Sequence, residues 1–541
     1  MSAFLNTGSR EASEQRESAE DGFDESIPQY IGTSFAAWNT FPCVQKGWLS
    51  AEEALIFLNY FYQNLAPWSA VLTDFFSDPM NHDTLVREEP LLSVTLLMIA
   101  SRYHSLPGSS GRVRANYIHQ ILWQHCQAIL LDLLLGQGQG ATPMMRAIGT
   151  IEALLLLVEW HPKPLLHWGV ERGDSQVRTK EDEPIRGVQS PAIGGLQRND
   201  VIEAALRSDR MSWMLLGCAS TLAQEIGIYR LDQEKSHTVL LNGIGASHHA
   251  LCNTSIERER LDRASLLLRI FKHQLASRLG TLQTVSPFTG CITPQVTAEY
   301  GPGQRLRIVT AWVDISQLER SATEYMMASK HRTNIHHARE DSVRTDIETV
   351  THMELALAEW IKEYPEFNSC LSSALKSAIF MEYQYLRAYI YSMGLRVKFE
   401  CFFSSRTQHI EPRAQQKYLE EPFQTFADGV ATSTCTLFQV ACHLGRTGAL
   451  KYAPVRVFVR IATASVLLLK VLALPLLTVR TEDCLLALRN MARVLRSNAA
   501  DSVHLCTRYA DFIFIQVEAY RNQFGYKSSG FMDKDKSDST L

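Results

Sequence analysis

A chain of 541 residues with 46% hydrophobic residues can bury a large core, and its length alone favours roughly two to four domains. The formal net charge of −4 and the pI near 6.5 show no basic excess for neutralising nucleic-acid phosphates. The two densest basic groups, at 256–263 and 330–339, are diluted by acids or histidines. We interpret both as solvated helix faces, which argues against direct binding of nucleic acid.

The eleven cysteines are scattered singly, and no C-x-x-C pair occurs. The odd count, the wide spacing and the apolar neighbours of Cys126, Cys218 and Cys442 predict reduced, buried thiols in an intracellular protein. The first residues lack the apolar core of a secretion signal and the acid-free composition of a transit peptide.

The N-terminal segment of residues 1–44 is predicted to be mostly disordered. Residues 1 to about 28 are acidic and polar, and they contain too little apolar surface to offset the entropy cost of ordering. The tail at 526–541 has the same composition and receives the same prediction.

Between these ends, apolar residues recur with the helical period, and Ser50 with Glu53 forms a capping-box pattern. Alternating strands and a repeat of fixed period are lacking. The predicted fold class is therefore all-α: a large multihelical bundle over 45–525 with irregular loop insertions, including a flexible loop at 169–200 and an irregular stretch at about 232–254. Helical segments are predicted at 49–65, 89–108, 113–140, 144–162, 207–227, from about 257, at about 305–364 and at 370–522.

The most apolar stretch, 455–477, could be mistaken for a membrane span. Arg460, Lys470 and Pro475 interrupt it, so its apolar run reaches only about half of the ~20 residues that a span requires. We predict a buried core helix.

The segment 207–227 is predicted to be a central packing helix with no reactive group. Ser208 is expected to be its N-cap, Asp209 to favour the positive end of the helix dipole, and Gly227 to adopt the left-handed conformation after its end. Close helix packing is expected to explain Gly217. The predicted buried stripe comprises Met211, Met214, Leu215, Cys218, Leu222 and Ile226, and the other small residues are Ala219, Ser220 and Ala223.

No residue pattern predicts a metal site or another cofactor. His119 and His125 are six positions apart and do not share a helix face. The adjacent pairs at 248–249 and 336–337 have no third ligand at helical spacing, and HExxH is absent. The acidic run from Asp533 lacks the glycine and closing glutamate of a calcium loop.

The sequence also contains no recognisable catalytic motif. The glycines from Gly136 follow a helix instead of a strand, and neither a G-x-S-x-G elbow nor a magnesium-binding DDxxD helix is present. Glu152 and Glu159 are predicted to lie on helix surfaces or in an internal salt link. We therefore predict that the chain is not an enzyme, and we assign no catalytic, cofactor-binding or metal-ligating residue.

Six segments in order resemble the regulatory body of fungal-specific transcription factors, over about residues 45–525. In the segment at 212–227, the similarity lies in Ser212, Trp213, Gly217, Ala219 and Gly227. The closest subgroup includes fungal activators of aromatic amino-acid catabolism and of secreted proteases. The segments are LNYFYQNLAPWSAVLTDFFSDP at 58–79, EWHPKPLLHW at 159–168, SWMLLGCASTLAQEIG at 212–227, HQLASRLG at 273–280, LRAYIYSMGLR at 386–396 and LKYAPVRVFVRIATASVLLLKVLAL at 450–474.

One departure from that family concerns DNA binding. The family's N-terminal reader holds two zinc ions with six cysteines, whereas Cys43 is the only cysteine here before Cys126. The resemblance implies a nuclear transcriptional regulator that controls a metabolic or secondary-metabolite gene set without its own zinc-cluster reader. It implies other transcription factors or co-regulators as partners, and a small-molecule effector as a further candidate. The alternative is a helical metabolite- or protein-binding scaffold that does not act at promoters.

Overall fold

A computed structural model describes residues 26–135, 147–163, 198–228, 255–281, 304–332, 339–367, 373–396, 420–474, 477 and 480–524. Every regular element within these ranges is helical, which confirms the all-α fold class. The α-helices are α1 (Ser26–Asn39), α2 (Pro42–Gln45), α3 (Ala51–Tyr60), α4 (His82–Glu88), α5 (Pro90–Tyr103), α6 (Gly111–Leu135), α7 (Ile148–Glu159), α8 (Arg198–Glu225), α9 (Ser255–Leu279), α10 (Gln304–Arg332), α11 (Arg339–Glu363), α12 (Ala374–Gly394), α13 (Glu420–Arg446), α14 (Val455–Leu472), α15 (Thr481–Ser497) and α16 (Leu505–Phe524).

Helices α1 and α2 correct the prediction of disorder for the part of residues 1–44 from residue 26 onward. Trp38 and Cys43 are fully buried, and the indole Nε1 of Trp38 donates a hydrogen bond to Nδ1 of His82 at 3.2 Å. The acidic composition of the first 28 residues concealed the apolar anchor that follows them. Residues 1–25, 229–254 and 526–541 lie outside the described ranges, as does the predicted loop at 169–200 except for residues 198–200, which begin α8.

The predicted capping box at the start of α3 is confirmed. The backbone N–H of Glu53 donates to Ser50 Oγ at 3.1 Å, and the backbone N–H of Ser50 donates to Glu53 Oε2 at 2.8 Å. Arg114 of α6 donates to the same carboxylate at 2.8 Å, so this cap also joins two helices.

Helix α8 differs from the prediction in its start and its buried face. The helix begins at Arg198, so Ser208 is an interior residue instead of the N-cap. Met214 is 65% exposed, and a Cβ atom at Gly217 would meet no neighbouring atom within 4 Å, so close packing does not explain this glycine. Gly227 adopts the predicted left-handed conformation, with φ of 79°. The buried face comprises Ala204, Ser208, Ser212, Leu215, Leu216, Ala219, Ser220, Leu222 and Ala223.

Helix α14 confirms the prediction of a buried core helix. It packs against α12, α13 and α16, and Arg460 at its centre is only 6% exposed. A contiguous cluster of buried apolar side chains extends from Trp38 to Tyr520. Among the helices that the structure describes, none is both long and apolar enough to cross a lipid bilayer.

Candidate effector cavity and buried polar network

Three segments that carry the family resemblance meet at the C-terminal end of α7. Trp160 Nε1 donates to the carbonyl oxygen of Tyr452 at 3.0 Å. The His161 ring lies between two α8 hydroxyls, with Nδ1 3.1 Å from Ser208 Oγ and Nε2 3.1 Å from Ser212 Oγ. Polar groups in a core require such partners, so these contacts fix the position of α8 against the end of α7.

The imidazole of His161 is held neutral. Burial lowers the pKa of His161 to about 3, and the positive charges of Arg102 and Arg278 lower it further. Arg102 donates to the backbone carbonyl of His161 and forms an ion pair with Asp501, with Nε 2.9 Å from Oδ2. A neutral ring has one donor and one acceptor nitrogen, which matches its two hydroxyl neighbours.

Glu159, one residue before this corner, forms a buried ion pair with Arg456 of α14. Its carboxylate also accepts a hydrogen bond from Ser69 Oγ. Arg456 Nη2 donates to the carbonyl oxygen of Trp68 at 2.9 Å, and the guanidinium lies 4.6 Å from the centre of the Trp312 ring. The pair therefore joins α7, α10, α14 and the turn after α3.

Glu152, also on α7, lies in a second buried cluster, which confirms the internal salt link for both acids. Arg260 Nη2 lies 2.7 Å from a carboxylate oxygen of Glu152 and 2.7 Å from one of Glu89. Burial raises the pKa of Glu89 to about 7, although the charge of Arg260 opposes this shift. Glu89 thus shares Arg260 with Glu152, which also lies 3.7 Å from Arg263 Nη2. Burial and the neighbouring carboxylate favour a proton on Glu89 near neutral pH.

Arg460 forms a third buried cluster one turn along α14 from Arg456. Its Nε lies 2.5 Å from Glu382 Oε2, and its Nη2 lies 2.7 Å from Glu319 Oε2. The guanidinium is 4.2 Å from the centre of the Tyr385 ring. Burial raises the pKa of Glu382 to about 7. The arginines that interrupt the apolar run of α14 therefore bind carboxylates on three other helices.

A cavity of about 300 Å³ lies among α8, α9, α14 and α16. Its polar groups include the ion pair between Asp209 Oδ1 and Arg278 Nη2, at 2.5 Å. Arg278 also lines a smaller cavity of about 50 Å³ that Glu159 and Arg456 border. The larger cavity is lined by Ala205, Leu206, Asp209, Arg278, Val459, Ala462, Thr463, Val466, Tyr509 and Phe512.

This lining is suited to binding more than to catalysis. Ligand sites are commonly apolar cavities with a few polar groups that orient the ligand. The acid and base here neutralise each other, and Thr463 and Tyr509 offer hydroxyls without a histidine or cysteine among the lining residues. Burial raises the pKa of Tyr509 to about 12, so its hydroxyl remains protonated.

The histidines considered as metal ligands lie apart. His119 Nδ1 is 2.8 Å from the carbonyl oxygen of Met98, and Nε2 accepts the backbone N–H of Lys163 at 3.0 Å. The His125 ring instead packs edge-on against Trp48, with ring centres 5.2 Å apart. Among the described residues, no three His, Cys, Asp or Glu side chains are grouped to hold a metal. The histidines at 248–249 and 336–337, Gly136 and Asp533 lie outside those residues.

Sequence reasoning missed Arg278, Arg456 and the polar face of α8. The available signal was the pair Arg456 and Arg460, four positions apart in an otherwise apolar helix. Charged residues in a buried helix require opposite charges nearby. The sequence indicated that requirement, but it did not identify the partners.

Over 506 residues, the chain is 33% identical to the transcription factor hmgR of Aspergillus fumigatus. The aligned part covers 90% of this chain and 64% of that protein, so the chain spans less than two thirds of this relative's length. No family model matches the chain, and no solved structure matches it. Over nine tenths of its length, the chain is thus similar to a fungal transcription factor.

Proposed function

We propose that the chain is the helical regulatory body of a fungal transcriptional regulator that acts in the nucleus and controls a metabolic or secondary-metabolite gene set. The observation that carries this proposal is the 33% identity to a fungal transcription factor over 90% of the chain. The contacts among the resembling segments at Trp160 and His161 support it, since these segments build one region of the core.

We propose that sequence-specific DNA binding does not reside in these 541 residues. A two-zinc cluster needs six cysteine thiolates, and Cys43 is the only cysteine among these residues before Cys126. The formal net charge of −4 shows no basic excess that would favour binding to DNA phosphates. We infer that these 541 residues supply regulation and no enzymatic activity, and that other residues or another factor read the DNA.

The cavity beside Arg278 is proposed as the site of a small-molecule effector. Apolar side chains from α14 and α16 would surround the body of the ligand, and the ion pair of Asp209 with Arg278 would bind its polar group. A ligand there would contact α8, α9, α14 and α16 together. It would therefore bias their relative packing, which co-regulators could detect.

The test is a reporter assay with the chain fused to a foreign DNA-binding domain. We expect transcription from the matching promoter to change with growth conditions, and Arg278→Met to abolish that response at unchanged protein level. Arg344→Met is the matched control, because the Arg344 side chain is 82% exposed. A flat response of the wild-type fusion under all conditions would favour the scaffold without a promoter role.

A further inference from the structure

Two cysteine thiols from different helices are in contact. Cys435 lies on α13 and is half-buried, while Cys484 lies near the start of α15 and is fully buried. The two side chains are close enough for each to shift the pKa of the other. Both cysteines are free thiols, so no disulfide joins them in this structure.

Helices α13 and α15 pack against each other, and a second pair of residues shows where they approach. A Cβ atom at Gly445 would lie 2.4 Å from Cγ1 of Val494, so the two helices approach closely there. Gly445 follows Cys435 by ten positions, and Val494 follows Cys484 by ten positions. The two helices therefore run parallel, with both residue pairs in the same seam.

The residues of this seam repeat with the spacing of packed parallel helices. On α13 they are at intervals of three, four and three, and α15 has the same intervals. Such a spacing keeps one stripe of each helix against its partner. With Cys435 paired to Cys484 and Gly445 next to Val494, this spacing would place Phe438 and Cys442 of α13 opposite Ala487 and Met491 of α15.

The two thiols differ in acidity. Hydrogen bonding from Cys484 lowers the pKa of Cys435, although burial and the charge of Asp483 oppose the shift. The same hydrogen bond, together with burial, raises the pKa of Cys484. Cys435 is also the more exposed of the two thiols, since Cys484 is fully buried. The lower pKa and the greater exposure both favour Cys435 as the nucleophile that meets an oxidant.

We propose that Cys435 and Cys484 form a reversible disulfide when the protein meets hydrogen peroxide, which makes this pair a redox modification site that links α13 to α15. The Cys435 thiolate attacks one peroxide oxygen; an S–O bond forms, the O–O bond breaks, and hydroxide leaves and takes up a proton. The Cys484 sulfur then attacks Cys435, an S–S bond forms, and the hydroxyl leaves as water with the second thiol proton. Two thiols and one peroxide thus give one disulfide and two waters.

The experiment uses the full chain, purified reduced, treated with hydrogen peroxide and digested with trypsin without reductant. We expect a cross-link between peptides 418–446 and 481–489, with a mass about 2 Da below the sum of the two reduced peptides. Dithiothreitol should release both peptides. A peptide containing Cys435 oxidised to sulfinic acid, without any cross-link to 481–489, would overturn the proposal.

Cys442 supplies the matched control, because it lies on α13 in the same tryptic peptide as Cys435, and the spacing of the two helices would place it opposite Met491 instead of a cysteine. Cys442→Ser should keep the cross-link at the wild-type level, while Cys435→Ser and Cys484→Ser should lose it. If Cys484→Ser fails to fold, the Cys435→Ser variant, whose substituted residue is half-buried, and the wild-type peptide map still test for the disulfide. Loss of the cross-link in Cys442→Ser would refute the assignment. The inference is independent of the proposed transcriptional role.

Discussion

Glu159 and Arg456 lie 297 positions apart in the sequence and form an ion pair in the core, where the side chains are 2% and 12% exposed. Glu159 ends α7, and Arg456 stands in the first turn of α14. The pair therefore closes a long-range contact between the two halves of the chain, and it borders the smaller of the two cavities that Arg278 lines.

Arg456→Met should destabilise the fold by about 3 to 5 kcal/mol, because it leaves the Glu159 carboxylate buried without its counter-charge. Urea unfolding, monitored by circular dichroism, measures this as a shift in midpoint at constant slope. The double variant Glu159→Gln/Arg456→Met should lose less free energy of unfolding than the two single variants lose in sum, because neither charge is left unpaired in the core.

The matched control for that pair is Arg344→Met, because Arg344 and Glu348 form an ion pair with side chains 82% and 65% exposed. Water screens such a pair, so its loss should cost less than about 1 kcal/mol. Equal effects of Arg344→Met and Arg456→Met would contradict a structural role for the buried pair.

His161 makes stability depend on pH in a defined direction. Its pKa is about 3 in the folded protein, against roughly 6.5 in an unfolded chain, so unfolding takes up a proton between these values. The stability that this group contributes is complete above about pH 6.5 and is lost as pH falls toward about 3. The free energy of unfolding of His161→Asn should therefore fall less steeply than that of wild type between about pH 6.5 and 4.

Acids whose pKa is raised by burial oppose this trend, so the free energies of unfolding must be compared between variants at each pH. In the folded protein, burial raises the pKa of Glu89 and of Glu382 to about 7. The stability that these two acids contribute therefore declines as pH rises from about 4.5 to 7. The exposed His352 serves as control through His352→Asn. Parallel stability curves for wild type and His161→Asn would show that His161 does not contribute to the pH dependence.

The sequence predicted the helices whose signals are local. The capping box at Ser50 and the interrupted apolar run of α14 each depend on neighbouring residues, and both predictions are confirmed. The partners of the acids on α7 could not be predicted, because Arg260 lies 108 positions from Glu152 and Arg456 lies 297 positions from Glu159. Only the packed fold brings these charges together.

The anchor of α1 shows how averaged composition misled the prediction for the N-terminal segment. Trp38→Ala should destabilise the protein by about 3 to 5 kcal/mol, because removal of the fully buried indole leaves a cavity and breaks the hydrogen bond to His82. Thermal unfolding measures the change. Phe35, on the same helix, is 42% exposed, so Phe35→Ala should cost about 1 kcal/mol or less. Similar midpoints for the two variants would argue against a packed α1.

Gly217 provides the opposite test, because the sequence suggested close packing and the structure shows open space. It lies within α8, where glycine costs about 1 kcal/mol relative to alanine, and an added Cβ would meet no neighbouring atom within 4 Å. Gly217→Ala should therefore raise the free energy of unfolding by about 0.5 to 1 kcal/mol. Gly429→Ala is the contrasting variant, since its Cβ would lie 2.6 Å from Cδ2 of the Tyr391 ring. Overpacking there should cost about 1 to 3 kcal/mol, and a loss of stability in Gly217→Ala would show that α8 has a close neighbour on that side.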